Sequence, residues 1–190
     1  MANFGAQYPI FAPFDGEEPA AALPKYAEGI SIGKLVSATL SVTRASGELY
    51  ADDGLDESVN EFASGTVAMD VNDIEDGVET KIFGSTQDET EGEVIDSVED
   101  EAPLGGLGYI KVKLRKGKRK YKAFWYPKTK ATQGDDAATT KSNSVTLGTE
   151  SLSFTIMAPN VGNWRYHKTF DTMAEAKAYI ESKITPAAGA

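Results

Sequence analysis

The sequence predicts a mainly β protein, an antiparallel β-sandwich or barrel with one or two short flanking α-helices. Three observations carry this. Apolar and polar residues alternate in several separate segments, the two-residue period of strands with one buried face. A helical period appears only in two short stretches, one between Asn72 and Gly84 and one after Thr172. Hydrophobic residues make up 41% of the chain and charged residues 25%, as in ordinary folded domains, and 190 residues suit a single core.

Taken in order, residues 1–29 are rich in Pro, Ala and Gly without a sustained period, and are expected to form an extended arm outside the core. Residues 30–185 are expected to be the domain. Val36, Ala38, Leu40 and Val42 alternate with Ser37, Thr39, Ser41 and Thr43, a half-buried strand. Acids and glycines then erase the period, so residues 45–61 read as a long loop, and length of that kind suggests a function. Ala63, Gly65, Val67, Met69 and Val71 mark a second strand. Ile74, Val78 and Ile82 recur every four residues behind Asn72, a candidate cap, and Gly84 closes that helix. Residues 85–103 are acidic and read as a loop around a short edge strand at Val94–Val98.

Further on, Ile110, Val112 and Leu114 alternate with lysines and arginine, as do Tyr121, Ala123 and Trp125 with Lys120, Lys122 and Phe124. Two strands joined through Lys116-Gly117-Lys118-Arg119 make a hairpin. Leu152, Phe154 and Ile156 give another strand. Thr172-Met173-Ala174-Glu175 is a capping-box sequence, and Met173, Ala176 and Ile180 form the apolar stripe of the helix behind it. Residues 186–190 are expected to fray.

The residue inventory narrows the chemistry. There is no cysteine, so disulfides and thiol chemistry are absent. The N-terminal MANFGAQYPIFAPF lacks a signal-peptide pattern, and no apolar run reaches 18 residues, so a soluble protein made and kept inside a cell, without a membrane partner, is expected. His167 is the only histidine, which excludes sites built on several imidazoles, and no motif joins it to a triad; a surface position is expected. The EF-hand pattern fails from Asp70 onward, because Ile74 and Glu75 occupy a ligand and a glycine position. Asp52-Asp53-Gly54-Leu55-Asp56 is tight enough for adventitious cation binding, but a solvated loop is expected. Gly105-Gly106-Leu107-Gly108 lacks a third spaced glycine and a following helix, so turn glycines are expected rather than a phosphate cradle. No enzyme activity, cofactor or metal is expected.

Charge is segregated along the chain. Its net value is −10, yet from Lys111 to Lys130 ten Lys or Arg and four aromatics occur without one acid, while Glu48 to Glu101 holds nineteen acids against the single base Lys81. Polyanions attract basic surfaces, so the whole protein is a poor nucleic-acid ligand. The stretch 111–130 could still act locally as a single-strand-binding hairpin, Tyr121, Phe124 and Trp125 stacking bases in a monomeric module. Strand alternation opposes that, because it divides the rings between two faces. A charged face that meets an acidic neighbour fits better.

Four segments, in order, carry a resemblance: LYADDGLDES (49–58), FASGTVAMDVNDI (62–74), GGLGYIKVKLRKGKRKYKAFWYPKTK (105–130) and TTKSNSVTLGTESLSFTI (139–156). Together they are similar to the major tail protein, or tail tube protein, of long-tailed siphophages, over roughly residues 30–180. The sequence departs from the family in the arm, in the acidic 85–103 segment, and at Thr129-Lys130-Ala131. The resemblance implies a structural virion protein without catalytic or cofactor residues, assembled into stacked homohexameric rings. Their hollow tube would pass genomic DNA without binding it specifically, and the tail's tape measure, tip and terminator proteins would be partners. It also implies a place in the virion tail, reached from the host cytoplasm during assembly. Acids are then expected to line the bore and the basic hairpin to face a neighbour. The candidate subunit or ring contacts are Leu49, Tyr50, Asp52 and Asp53 on the long loop and Lys111, Lys113, Arg115 and Lys122 on the basic hairpin, with the N-terminal arm beside them.

Overall fold

The computed structural model describes residues 2–51, 54–88, 90, 92–134 and 148–185. It is a mainly β, antiparallel structure with two short helices. In chain order the elements are β1 (Ala2–Pro13), β2 (Ile30–Ser31), β3 (Leu35–Ala51), β4 (Gly54–Val71), α1 (Asp76–Phe83), β5 (Thr86–Gln87), β6 (Val94–Ile95), β7 (Leu104–Arg115), β8 (Lys118–Gln133), β9 (Glu150–Ile156), β10 (Tyr166–Phe170) and α2 (Met173–Ile184). The main sheet runs β2-β1-β7-β8-β9-β4-β3, and β5 pairs only with β6.

The sheet forks at β8. Its residues 121–125 pair with β10, whereas 129–133 pair with β9. The sheet bends so that β1 meets the opposite limb, the rings of Phe11 and Phe154 lying 5.6 Å apart. Inside this bend is the larger core: Phe11, Val67, Met69, Val71, Leu107, Tyr109, Phe124, Tyr126, Phe154 and Ile156. On the other face of β1, β7 and β8 lies a second core, where Ile10, Ala12, Ile110, Ala123 and Trp125 pack against Ala176, Ile180 and Ile184 of α2. Strand β8 is therefore buried on both faces over Ala123–Tyr126. Burying its three large side chains there, Phe124, Trp125 and Tyr126, at ~1.5–3 kcal/mol each makes this strand a principal source of stability.

The capping box holds as read. The Thr172 hydroxyl accepts the Glu175 N–H at 3.3 Å, and the Glu175 carboxylate accepts the Thr172 N–H at 3.1 Å. Thr172→Ala is expected to lower stability by ~1 kcal/mol in urea denaturation, with no change in oligomerisation. The β7–β8 turn is tighter than read: Arg115 pairs with Lys118, leaving only Lys116 (φ 51°) and Gly117 (φ 75°) between them. Two positive φ values make this the type of turn whose twist matches the strands it joins.

Several expectations are corrected. Residues 2–13 are no arm: β1 pairs with β7 along the main sheet, and its Ile10, Phe11 and Ala12 are core. Its alternation is hidden by register shifts on either side of Ala6 and Gln7, near Gly5 and Tyr8, both at positive φ, and by burial of both faces at its end. Residues 45–51 and 54–61 are not a loop but the outer half of the β3–β4 hairpin. Val36 is exposed because a bulge between the Leu35 and Ser37 pairs turns it outward, so Leu35, Ala38 and Leu40 pack on the core instead. Asn72 does not cap α1. The helix starts at Asp76 behind Glu75, while Asn72 Oδ1 accepts the Lys34 backbone N–H at 2.7 Å. Gly84, left-handed at φ 85°, does close it. The 85–103 edge strand shrinks to Val94–Ile95. Gly105, Gly106 and Gly108 are not turn residues but buried members of β7. Residues 186–190 lie outside the described residues.

Candidate self-assembly surfaces

Two exposed features stand apart from the cores. The first is the outer β3–β4 hairpin. Beyond the Arg44–Phe62 pair the strands continue to the Ala51–Gly54 pair, about 24 Å of ladder at ~3.4 Å per residue. Every described side chain on it is solvent-exposed, including Leu49 (55%), Tyr50 (65%) and Val59 (45%). Nothing in the chain's own core explains apolar side chains at those positions. Cross-strand register puts Ala45, Gly47 and Leu49 on one side with Glu61, Val59 and Glu57, their direct partners. The other side carries Glu48, whose carboxylate accepts the Tyr50 hydroxyl at 2.9 Å. At the root, Phe62 stacks on Trp164 with centroids 4.3 Å apart and planes 4° from parallel, and the Arg165 guanidinium lies 4.6 Å from the Trp164 ring. Leu49 and Tyr50 thus sit on a projecting surface; Asp52 and Asp53 lie outside the described residues.

The second feature is a cationic face on β7, β8 and β10, opposite the side covered by α2. Lys111 pairs directly with Lys122 and Lys113 with Lys120, while Tyr109 and His167 both flank Phe124. Lys111 Nζ stands 5.7 Å from the Tyr109 ring and 5.8 Å from Phe124, and Lys122 Nζ stands 5.0 Å from Phe124. Partial burial lowers the Lys111 pKa, with Lys113 adding to it. Burial likewise lowers that of Lys122, helped by Lys113, Arg165 and Lys111. His167 is exposed, as expected, and its pKa is lowered by desolvation and then by Lys122 and Arg165. No carboxylate figures among these causes. Arg115 lies at the turn end of the same row, opposite Lys118.

Other cations of the basic stretch are neutralised within the chain. Lys120 pairs with Asp171, Lys128 with Glu18 at 2.6 Å, and Lys130 with Glu101 at 2.6 Å, which holds the Glu101 carboxyl below its usual range. Lys111, Lys113 and Lys122, grouped in the sequence reading, lie on one face; Arg165 and His167, beside them, were not grouped with them. They join the face only through β10, and nothing in the sequence Arg165-Tyr166-His167-Lys168 signals that pairing.

A projecting hairpin and a charged face on a bent antiparallel sheet suit a protein that binds copies of itself, and the comparison with known families decides which. Residues 37–182, well over half of the chain, match the phage tail tube protein family. The chain belongs to that family. No curated protein matches it. A tail tube protein is a structural component of the virion tail, and its family is not one of enzymes. Among the described residues, this tail tube protein has no group of three or more acids or histidines placed to hold a metal, and no helix long and apolar enough to cross a membrane. The matched span begins inside β3 and ends inside α2, so it takes in both exposed features and most of both cores, leaving out β1, β2, Ile32, Leu35 and Ile184.

Proposed function

We propose that copies of this chain associate head to tail into hexameric rings, that the rings stack into a hollow tube, and that genomic DNA passes through it to the host without specific binding. The observation that carries this reading is the outer hairpin: about 24 Å of paired strand with exposed Leu49, Tyr50 and Val59 and no core of its own. Such a segment gains stability only against another molecule. The sheet edges support the same reading. β3 ends the strand order, and β1 is covered by β2 only at Ile10 and Phe11, so among the described residues two edges remain available for strand pairing between copies. A net charge of −10 supports a bore that repels DNA, whose axis carries one phosphate charge per ~1.7 Å. Tape measure, tip and terminator proteins are the expected heterologous partners, met in the host cytoplasm.

The alternative, a monomeric nucleic-acid module, needs rings free to stack. Phe124, Trp125 and Tyr126 are buried in the two cores, and Tyr121 is half-buried beside α2. Negative-stain micrographs of the concentrated protein are expected to show rods of constant width with an axial channel. Single copies at every concentration up to the solubility limit, by imaging and by sedimentation, would overturn the proposal.

A further inference from the structure

Lys111, Lys113 and Lys122, with Arg165 and beside His167, form one basic surface built around three strands, and among the described residues no ion pair to a carboxylate forms at these four cations. Lys111 and Lys122 are direct cross-strand partners, an arrangement that is destabilising for like charges unless something else compensates. Their neighbours in the basic stretch show what compensates elsewhere, since Lys120, Lys128 and Lys130 each hold a carboxylate. At the corner of the face itself the group accepted is Asp171. The surface is therefore suited to carboxylates.

The hairpin supplies carboxylates in a matching array. On the side shared with Ala45, Gly47 and Leu49 it presents Glu57 and Glu61, separated by Val59. Four residues along a strand span ~13 Å, the same run as from Tyr109, at the Phe124 level, to Lys113. Small residues at Ala45 and Gly47 leave that side of the hairpin low, so the two glutamates can approach another sheet. Apolar Leu49 and Val59 would meet the stems of the half-buried Lys111, Lys113 and Lys122. Within one chain the hairpin's described side chains, Glu57, Val59 and Glu61 among them, are all exposed, so among the described residues it does not cover the face. The glutamates must come from elsewhere.

We propose that the cationic face of Lys111, Lys113, Lys122, Arg165 and His167 receives the Glu57–Glu61 side of the hairpin of a second copy of this chain. The inference rests on the head-to-tail reading above and adds which surface meets which. Because the two surfaces differ, each copy gives one and receives one, the heterologous geometry that closes a ring or propagates a stack. Charge complementarity also selects register and excludes the face meeting another face.

The test uses two full-length charge reversals, Lys111→Glu with Lys122→Glu, and Glu57→Lys with Glu61→Lys. Each alone is expected to lower the assembled fraction at least tenfold under conditions where the unaltered chain forms rods. An equal mixture of the two is expected to assemble, since every hairpin then meets a face of opposite sign, and this rescue shows that both variants are folded. A second measurement uses Lys113→Cys and Glu57→Cys in separate copies. The chain has no cysteine of its own, so a mixed disulfide under oxidation reports the contact directly, and Lys118→Cys at the turn is the control expected not to cross-link. Rods from the unaltered chain and from both reversals alike would sink the inference while leaving the tube reading intact. If the unaltered chain never assembles, both fall. Loss of salt-dependent retention on single-stranded DNA by the lysine reversal, with assembly unchanged, would reassign the face to nucleic acid.

Discussion

Replacing residues 45–61 by Asn-Gly, so that Arg44 and Phe62 are joined through a tight turn, is expected to abolish rods while leaving the domain folded. Arg44 and Phe62 are register partners, the spacing a two-residue turn closes. The excised part contributes no described buried side chain, and the Phe62–Trp164 stack at its root is retained. No described buried contact is lost and the connection between the strands becomes shorter, so little change in stability is expected. The unfolding midpoint and far-ultraviolet circular dichroism should therefore stay near those of the full chain. Assembly, measured by sedimentation and negative-stain imaging, should fall below detection. Normal rods from the shortened chain would remove the observation on which the tube reading rests.

The second large effect lies inside the fold. At Gly106 an added Cβ would sit 2.2 Å from Trp125 Cζ2, 2.5 Å from its Cη2 and 2.8 Å from Tyr26 Cε1. Trp125 cannot swing aside: it is 1% exposed, edge-on to Tyr26 at 5.2 Å, and held from the other direction by α2. Tyr26 is itself fixed by donating its hydroxyl to the Pro127 carbonyl at 2.9 Å, and burial raises its pKa strongly, so it stays neutral. Gly106→Ala is expected to cost about 3 kcal/mol, the upper end for an overpacked core, and Trp125→Ala about 3–5 kcal/mol through the cavity left. The two changes relieve each other in part. In a double-mutant cycle by urea denaturation, the combined variant is expected to be less destabilised than the sum by about 1 kcal/mol or more. Simple additivity would show that ring and glycine are not in the contact described.

These glycines also show where sequence reading stops. Leu152, Phe154 and Ile156, or Gly65 through Val71, have one dry and one wet face, and their alternation gave strands that the structure contains. Where both faces are buried the contrast vanishes: Ile10-Phe11-Ala12 and the glycines of β7 carry no period, and a glycine read as punctuation proves to be room for a tryptophan. The outer hairpin fails for the opposite reason. With both faces in water its polarity shows no two-residue period, and the stretch looked unstructured although its described strands pair from Ala45–Glu61 out to Ala51–Gly54. The candidate surfaces were legible as charge blocks, since charge needs no contrast between faces. What could not be read was the third strand, β10, which brings Arg165 and His167 beside Lys122, more than forty residues earlier.

The Lys116-Gly117 turn has a consequence for folding. A strand with one wet face is kept in alignment by polarity, because sliding by one position would drown its apolar set. The β7–β8 pair lacks that safeguard around Phe124 and Trp125, where either ring would find an oily environment after a slip. A two-residue connection whose backbone accepts only one alignment, together with the notch at Gly106, must do the proofreading instead. Lengthening that connection by one residue is thus a way to populate a misaligned, long-lived compact species without altering a single buried side chain.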